Sequence, residues 1–73
     1  MNATETIRTL LEREGFSSTE ASLRMGMKRA YLSSILSNNR TPKVNTLAKF
    51  AEAMNYELIL RSRDDGYEFI IDE

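Results

Sequence analysis

Two hydrophobic rhythms divide the chain near Asn55. Before it, apolar residues recur every three or four positions, the period of helices that bury one face. After it they alternate, the period of strands. Ala3, Ile7, Leu10 and Leu11 mark the stripe of a first helix over about 3–14, with Asn2 and Glu5 capping its start and Gly15 ending it. Ser17 followed by Glu20 is a capping box for a second helix over about 18–25, and Phe16 is placed to staple onto Ala21. That helix buries Ala21 and Met25 and leaves Leu23 outward, and Gly26 supplies the positive φ of a helix-ending turn. A third helix over about 28–37 turns Leu32, Ile35 and Leu36 inward. At about 100° per residue its outer face is Ala30, Ser34 and Ser37, with Ser33 beside them. Asn38 is expected to stop this helix in the left-handed conformation. Pro42 is expected to open a fourth helix whose buried stripe is Val44, Leu47, Phe50, Ala51 and Met54.

The alternating part reads as a hairpin. YELILRS (56–62) and YEFIID (67–72) flank RDDG, with Asp65-Gly66 at the tip. A loop of two or of four residues gives the same parity. Tyr56, Leu58, Leu60, Tyr67, Phe69 and Ile71 therefore share one face, and Glu57, Ile59, Arg61, Glu68, Ile70 and Asp72 the other. One face is expected to cover the helices, which leaves Ile59 and Ile70 outside. A lone hairpin is marginal in water and presents open edges, so pairing with a second copy through Leu58, Ile59, Leu60, Phe69, Ile70 and Ile71 is the economical expectation. The alternative is a hairpin folded back on its own helices, with association elsewhere. The fold class is thus mainly α with a C-terminal β-hairpin: four helices, then two antiparallel strands.

Two short helices joined at Gly26 have the form of a helix-turn-helix, whose second helix enters the DNA major groove. Small Ser22, Gly26, then Leu32 and Ile35, a polar loop and Pro42-x-x-x-Thr46-Leu47 together resemble the Cro/C1-type (XRE, lambda repressor-like) helix-turn-helix from about Ile7 to Met54. The resemblance implies that Lys28, Arg29, Ala30 and Ser34 face bases. It implies that Ser18, Tyr31, Ser37, Asn38, Asn39, Arg40, Thr41 and Lys43 lie along the backbone. Arg29 suits guanine, whose O6 and N7 a guanidinium grips with two bonds. The small outer face of the third helix suits deep seating in a groove about 12 Å wide. Tyr31 either reaches a phosphate or packs sideways. Lys28 departs from the family, which usually has a capping Ser or Thr there, so the helix start is expected to be undercapped and to favour an anion. The resemblance also implies residues 1–55 as the DNA-binding domain and 56–73 as its dimerisation element, since Cro-like proteins and several small antitoxin regulators pair through C-terminal strands.

Composition narrows the rest. Seventy-three residues make one domain at most. Such a chain buries only about 60% of its unfolded surface, and its core alone seldom supplies more than about 3–5 kcal/mol. Without cysteine or histidine there is no disulfide or zinc staple, which again favours dimerisation. Net charge is −1, but Arg24, Lys28, Arg29, Arg40 and Lys43 against Glu20 give residues 17–46 a balance of +4. From residue 47 on, Lys49, Arg61 and Arg63 against Glu52, Glu57, Asp64, Asp65, Glu68, Asp72 and Glu73 give −4. One attractive and one repelling face for a polyanion follow. The residues for catalysis are missing: no histidine, no cysteine, no glycine-rich phosphate loop and no carboxylate pair in a cleft. The expectation is a non-enzymatic cytoplasmic regulator without cofactor, metal or membrane partner, binding double-stranded DNA as a homodimeric repressor on a palindromic operator. Its alternative is an antitoxin that binds a toxin and represses its own operon.

Overall fold

The computed structural model describes residues 1–38 and 40–73. The described residues form helices α1 (Ala3–Glu14), α2 (Ser18–Arg24), α3 (Tyr31–Ser37) and α4 (Val44–Ala53), then strands β1 (Leu58–Arg61) and β2 (Glu68–Ile71). None of the described helices is long and apolar enough to cross a membrane.

The first two helices begin where local chemistry dictates. The Asn2 side chain accepts the Glu5 N–H at 2.8 Å. Ser17 Oγ accepts the Glu20 N–H at 3.1 Å, and Glu20 Oε1 accepts the Ser17 N–H at 2.9 Å. These bonds hold the Glu20 carboxyl below the usual carboxylate range, the Ser17 N–H most and its side chain next. A carboxyl whose pKa falls on folding adds stability above its unfolded value and loses it as the pH drops through the folded one. Between about pH 6 and pH 3 the melting temperature should therefore fall further for the native chain than for Glu20→Gln, which keeps an acceptor without the charge. Parallel melts followed by circular dichroism check this.

Helices α1, α2 and α4 end alike. The N–H of Phe16, Met27 and Tyr56 reaches back to the carbonyl of Leu11, Ser22 and Ala51 at 3.0, 3.0 and 2.7 Å. The residue before each is left-handed: Gly15 (φ 73°), Gly26 (φ 75°) and Asn55 (φ 62°). This is the Schellman closure. Asn38, expected to be left-handed, has φ −93° and ψ 13° instead. The Arg8 guanidinium donates to the Leu36 carbonyl at 3.1 Å, so the end of α3 has a partner without that turn.

The core draws on every helix: Ile7 and Leu11 from α1, Ala21 and Met25 from α2 and its cap, Leu32 and Leu36 from α3, and Phe50 and Met54 from α4 and its cap. Two expectations about α4 are overturned. It starts at Val44 with Lys43 as its cap, so Pro42 lies ahead of the helix rather than in its first turn. Val44 is 60% exposed, and Ala48 is buried instead. A helical side chain leans toward the N-terminus, so the first residue overhangs the end of the core while the one a turn later sits on it.

The strands pair antiparallel as Leu58↔Ile71, Ile59↔Ile70, Leu60↔Phe69 and Arg61↔Glu68. The loop has four residues, Arg63 to Gly66: Ser62 donates to the Tyr67 carbonyl at 2.8 Å and Gly66 to the Ser62 carbonyl at 3.1 Å. The Asp65 side chain takes the Tyr67 N–H at 3.0 Å. The division into two faces is as expected, but no face covers the helices. Only the root packs, with Leu58 and Ile71 half-buried beside Ala48 and Glu52 of α4. Tyr56 Oη donating to Glu14 at 2.8 Å and a 3.8 Å Lys49–Glu73 pair also tie it down. Beyond the root both faces are open, from 39% exposure at Ile59 to 63% at Leu60. The ribbon is too narrow to bury either face by itself, and the molecule measures 40 × 22 × 22 Å.

Candidate nucleic-acid interface

The placement of α3 depends on side chains from its neighbours. Ser22 is fully buried in α2. Its hydroxyl donates to the Ser18 carbonyl at 2.8 Å, as its spacing allows, and accepts the Leu32 N–H at 3.0 Å. That second bond corrects the expectation of an undercapped start. Lys28 supplies no cap, but Ser22, ten residues before Leu32, does, and the helix begins at Tyr31 rather than residue 28. Lys28, Arg29 and Ala30 form the turn ahead of it, closed by Tyr31 N–H to the Lys28 carbonyl at 3.0 Å. Arg8 of α1 holds the other end through the Leu36 carbonyl. Sequence reasoning missed both clamps. The available signal for the first was a hydroxyl at a small, core-facing position, which needs an acceptor and can also take a donor; Arg8 gave none.

Ser22→Ala removes the acceptor and strands a buried N–H, a loss of about 1–3 kcal/mol. Urea denaturation should show this as a lower midpoint at unchanged slope.

The exposed surface of α3 is small. Ala30, Ser33, Ser34 and Ser37 are all exposed, opposite buried Leu32 and Leu36. On one flank an open cleft of about 560 Å³ is lined by Ser18, Ser33 and Ser37 together with Arg8 and Glu12. On the other, a cleft of about 300 Å³ is lined by Tyr31, Ile35, Arg40, Thr41, Pro42, Lys43 and Thr46. The structure thus groups Ser18 with Ser37, and Tyr31 with Arg40, Thr41 and Lys43, on opposite sides of a crest carrying Ala30 and Ser34. Tyr31 is half-buried and packs on the core while lining the second cleft. Exposed Asn38 donates from Nδ2 to Ser34 Oγ at 3.4 Å. Asn39, expected at a phosphate, lies outside the described residues.

The five cations of the basic stretch are not equivalent. Arg24 is engaged: its Nε donates to the Ala53 carbonyl at 3.0 Å and its guanidinium lies 4.9 Å over the Phe16 ring. Lys28, Arg29, Arg40 and Lys43 are exposed and make no ion pair among the described residues. Two precede α3 and two follow it, and both groups are open to solvent. No cluster of three potential metal ligands occurs among the described residues.

A family model described as Helix-turn-helix matches residues 7–60. No curated protein and no solved structure matches the chain significantly.

Proposed function

Because the chain belongs to the Cro/C1-type (XRE) helix-turn-helix family, a family of DNA-binding transcriptional regulators, we propose that it is a dimeric repressor that occupies a palindromic operator. The observation that carries this reading is the set of four exposed cations, in no ion pair among the described residues, placed before and after a helix with a small outer face. In this reading residues 1–55 bind DNA and 56–73 join the two copies. Ala30 and Ser34 ride in the major groove, where a methyl and a hydroxyl meet base edges, and Lys28 and Arg29 lead the helix in. Arg40, Lys43 and Thr41 hold the phosphates on one flank beside Tyr31, and Asn39 is a further backbone contact. Ser18, Ser37 and Asn38 hold those on the other. Repression follows from covering a promoter.

Selecting bound sites from random duplex DNA tests the proposal. The expected product is a palindrome whose half-sites lie about 34–36 Å apart, the separation of successive major grooves on one side of the duplex. No enriched site, or one without symmetry, overturns it.

A second reading is favoured by the open apolar hairpin. Leu60, Tyr67 and Phe69 form an exposed face that suits a second protein, as in an antitoxin that binds a toxin and represses its own operon. Stoichiometric co-purification of a second protein with the untagged chain would establish this role; purification alone from its native host removes it.

A further inference from the structure

Both edges of the hairpin are open, since the sheet among the described residues has only the two strands. Ser62 and Tyr67 form the hydrogen-bonded pair next to the loop, and such pairs alternate along an antiparallel ladder. Leu60 and Leu58 therefore turn their backbone groups toward β2. Glu57, Ile59 and Arg61 turn theirs to the free edge of β1, and Glu68, Ile70 and Asp72 turn theirs to the free edge of β2. Among the described residues, no backbone hydrogen bond joins Glu57, Ile59 or Arg61 to any group outside the ladder.

The segment along the β1 edge, Glu57-Leu58-Ile59-Leu60-Arg61, is its own complement when reversed. Laid antiparallel on a second copy with Ile59 on the two-fold axis, it sets isoleucine against isoleucine and Leu58 against Leu60. It also sets Glu57 against Arg61, twice. Moving the axis to Leu60 breaks the match, because Ile59 then faces Arg61. The β2 edge fails the same comparison: centred on Ile70, it sets Glu68 against Asp72 twice, carboxylate on carboxylate.

Resting on the dimeric reading above, we propose that two copies join along their β1 edges with Ile59 at the axis, forming a four-stranded sheet in the order β2-β1-β1-β2. The free N–H and C=O groups of Glu57, Ile59 and Arg61 all find partners in this register, because the residues it sets opposite one another are the ones whose groups point outward. Arg61 already lies 3.6 Å from Glu68 of its own chain. In the assembly it sits between that carboxylate and Glu57 of the second copy. Leu60, Tyr67 and Phe69 of both copies then lie on one continuous face of the sheet.

The chain has no cysteine, so a single introduced one reports without interference. Residues opposite each other in a hydrogen-bonded antiparallel pair have Cα atoms about 5.5 Å apart, within the range a disulfide spans. Mild oxidation should convert Ile59→Cys to a covalent dimer on a non-reducing gel. Ile70→Cys should stay monomeric there, since three strand spacings separate the two copies by about 14 Å. Glu57→Arg leaves the Arg61–Glu68 pair intact but puts like charges opposite each other twice. It should raise the dimer dissociation constant in sedimentation equilibrium about tenfold or more while the hairpin's folded signal is kept. Cross-linking through Ile70→Cys but not Ile59→Cys would move the interface to β2 and overturn the proposal. Cross-linking through neither variant, with a native chain that still sediments as a dimer, overturns the register and leaves the dimeric repressor standing. A chain that stays monomeric at every concentration and on operator DNA removes both.

Discussion

Replacing Arg29 with alanine is expected to weaken binding to the selected operator about 30-fold to 10⁴-fold. One bidentate guanine contact discriminates by about 1–3 kcal/mol, and a dimer carries two. On a scrambled duplex the same change removes only a charge, so the loss there should be far smaller. Arg40→Ala should behave in the opposite way. As a phosphate-binding group it carries no sequence information, so all duplexes weaken alike, and the log–log salt slope becomes shallower by about 0.9 for each phosphate no longer neutralised. With Arg40 and Lys43 on phosphates in both copies, the native slope is expected to be near −4, and affinity to fall about 10²-fold from 50 to 200 mM salt. Anisotropy titrations of both variants on both duplexes across that range separate the roles. Equal losses for Arg29→Ala on operator and scrambled DNA would take away its assignment as a base reader.

Those experiments single out two of five cations that look alike in a charge count. The distinction between Arg24 and Arg29 was not legible in the chain, because it rests on the Phe16 ring and the Ala53 carbonyl, which folding brings to Arg24. The same holds for α3. Starts and stops written within three or four residues, such as Asn2 with Glu5 or Ser17 with Glu20, were readable as they stand. The start of α3 was not, because its cap comes from Ser22 in another helix, and its end is held by Arg8 from a third. The outer face of α3 was readable because helical geometry alone fixes what lies opposite Leu32. The hairpin shows the limit from the other side. Alternation assigned its faces, but what those faces meet depends on how the ribbon leaves Asn55, and no local pattern encodes that.

Phe50→Ala should unfold the protein at 25 °C. Phe50 is the largest fully buried side chain, 1% exposed, in a cluster to which every helix contributes. Truncating a buried phenylalanine to alanine costs about 3–5 kcal/mol, as much as a core of this size supplies in total. The interface would be lost with the core. α3 has seven residues, well below the about 12–15 at which an isolated helix becomes even marginal, so the small face and its flanking cations hold their places only while Leu32 and Leu36 have something to pack on. Operator DNA binds only the folded form, and at about 1,000 times its dissociation constant it returns about 4 kcal/mol. The variant is therefore expected to give a coil-like circular dichroism spectrum alone at low micromolar concentration and to regain helicity as operator is added. Phe69→Ala, at an exposed position on the hairpin, should melt with the native chain under the same dilute conditions, as surface substitutions usually do within about 0.5 kcal/mol. A Phe50→Ala protein that stays helical without DNA, melting within a few degrees of the native chain, would mean that the four helices are held by something other than the cluster around this ring.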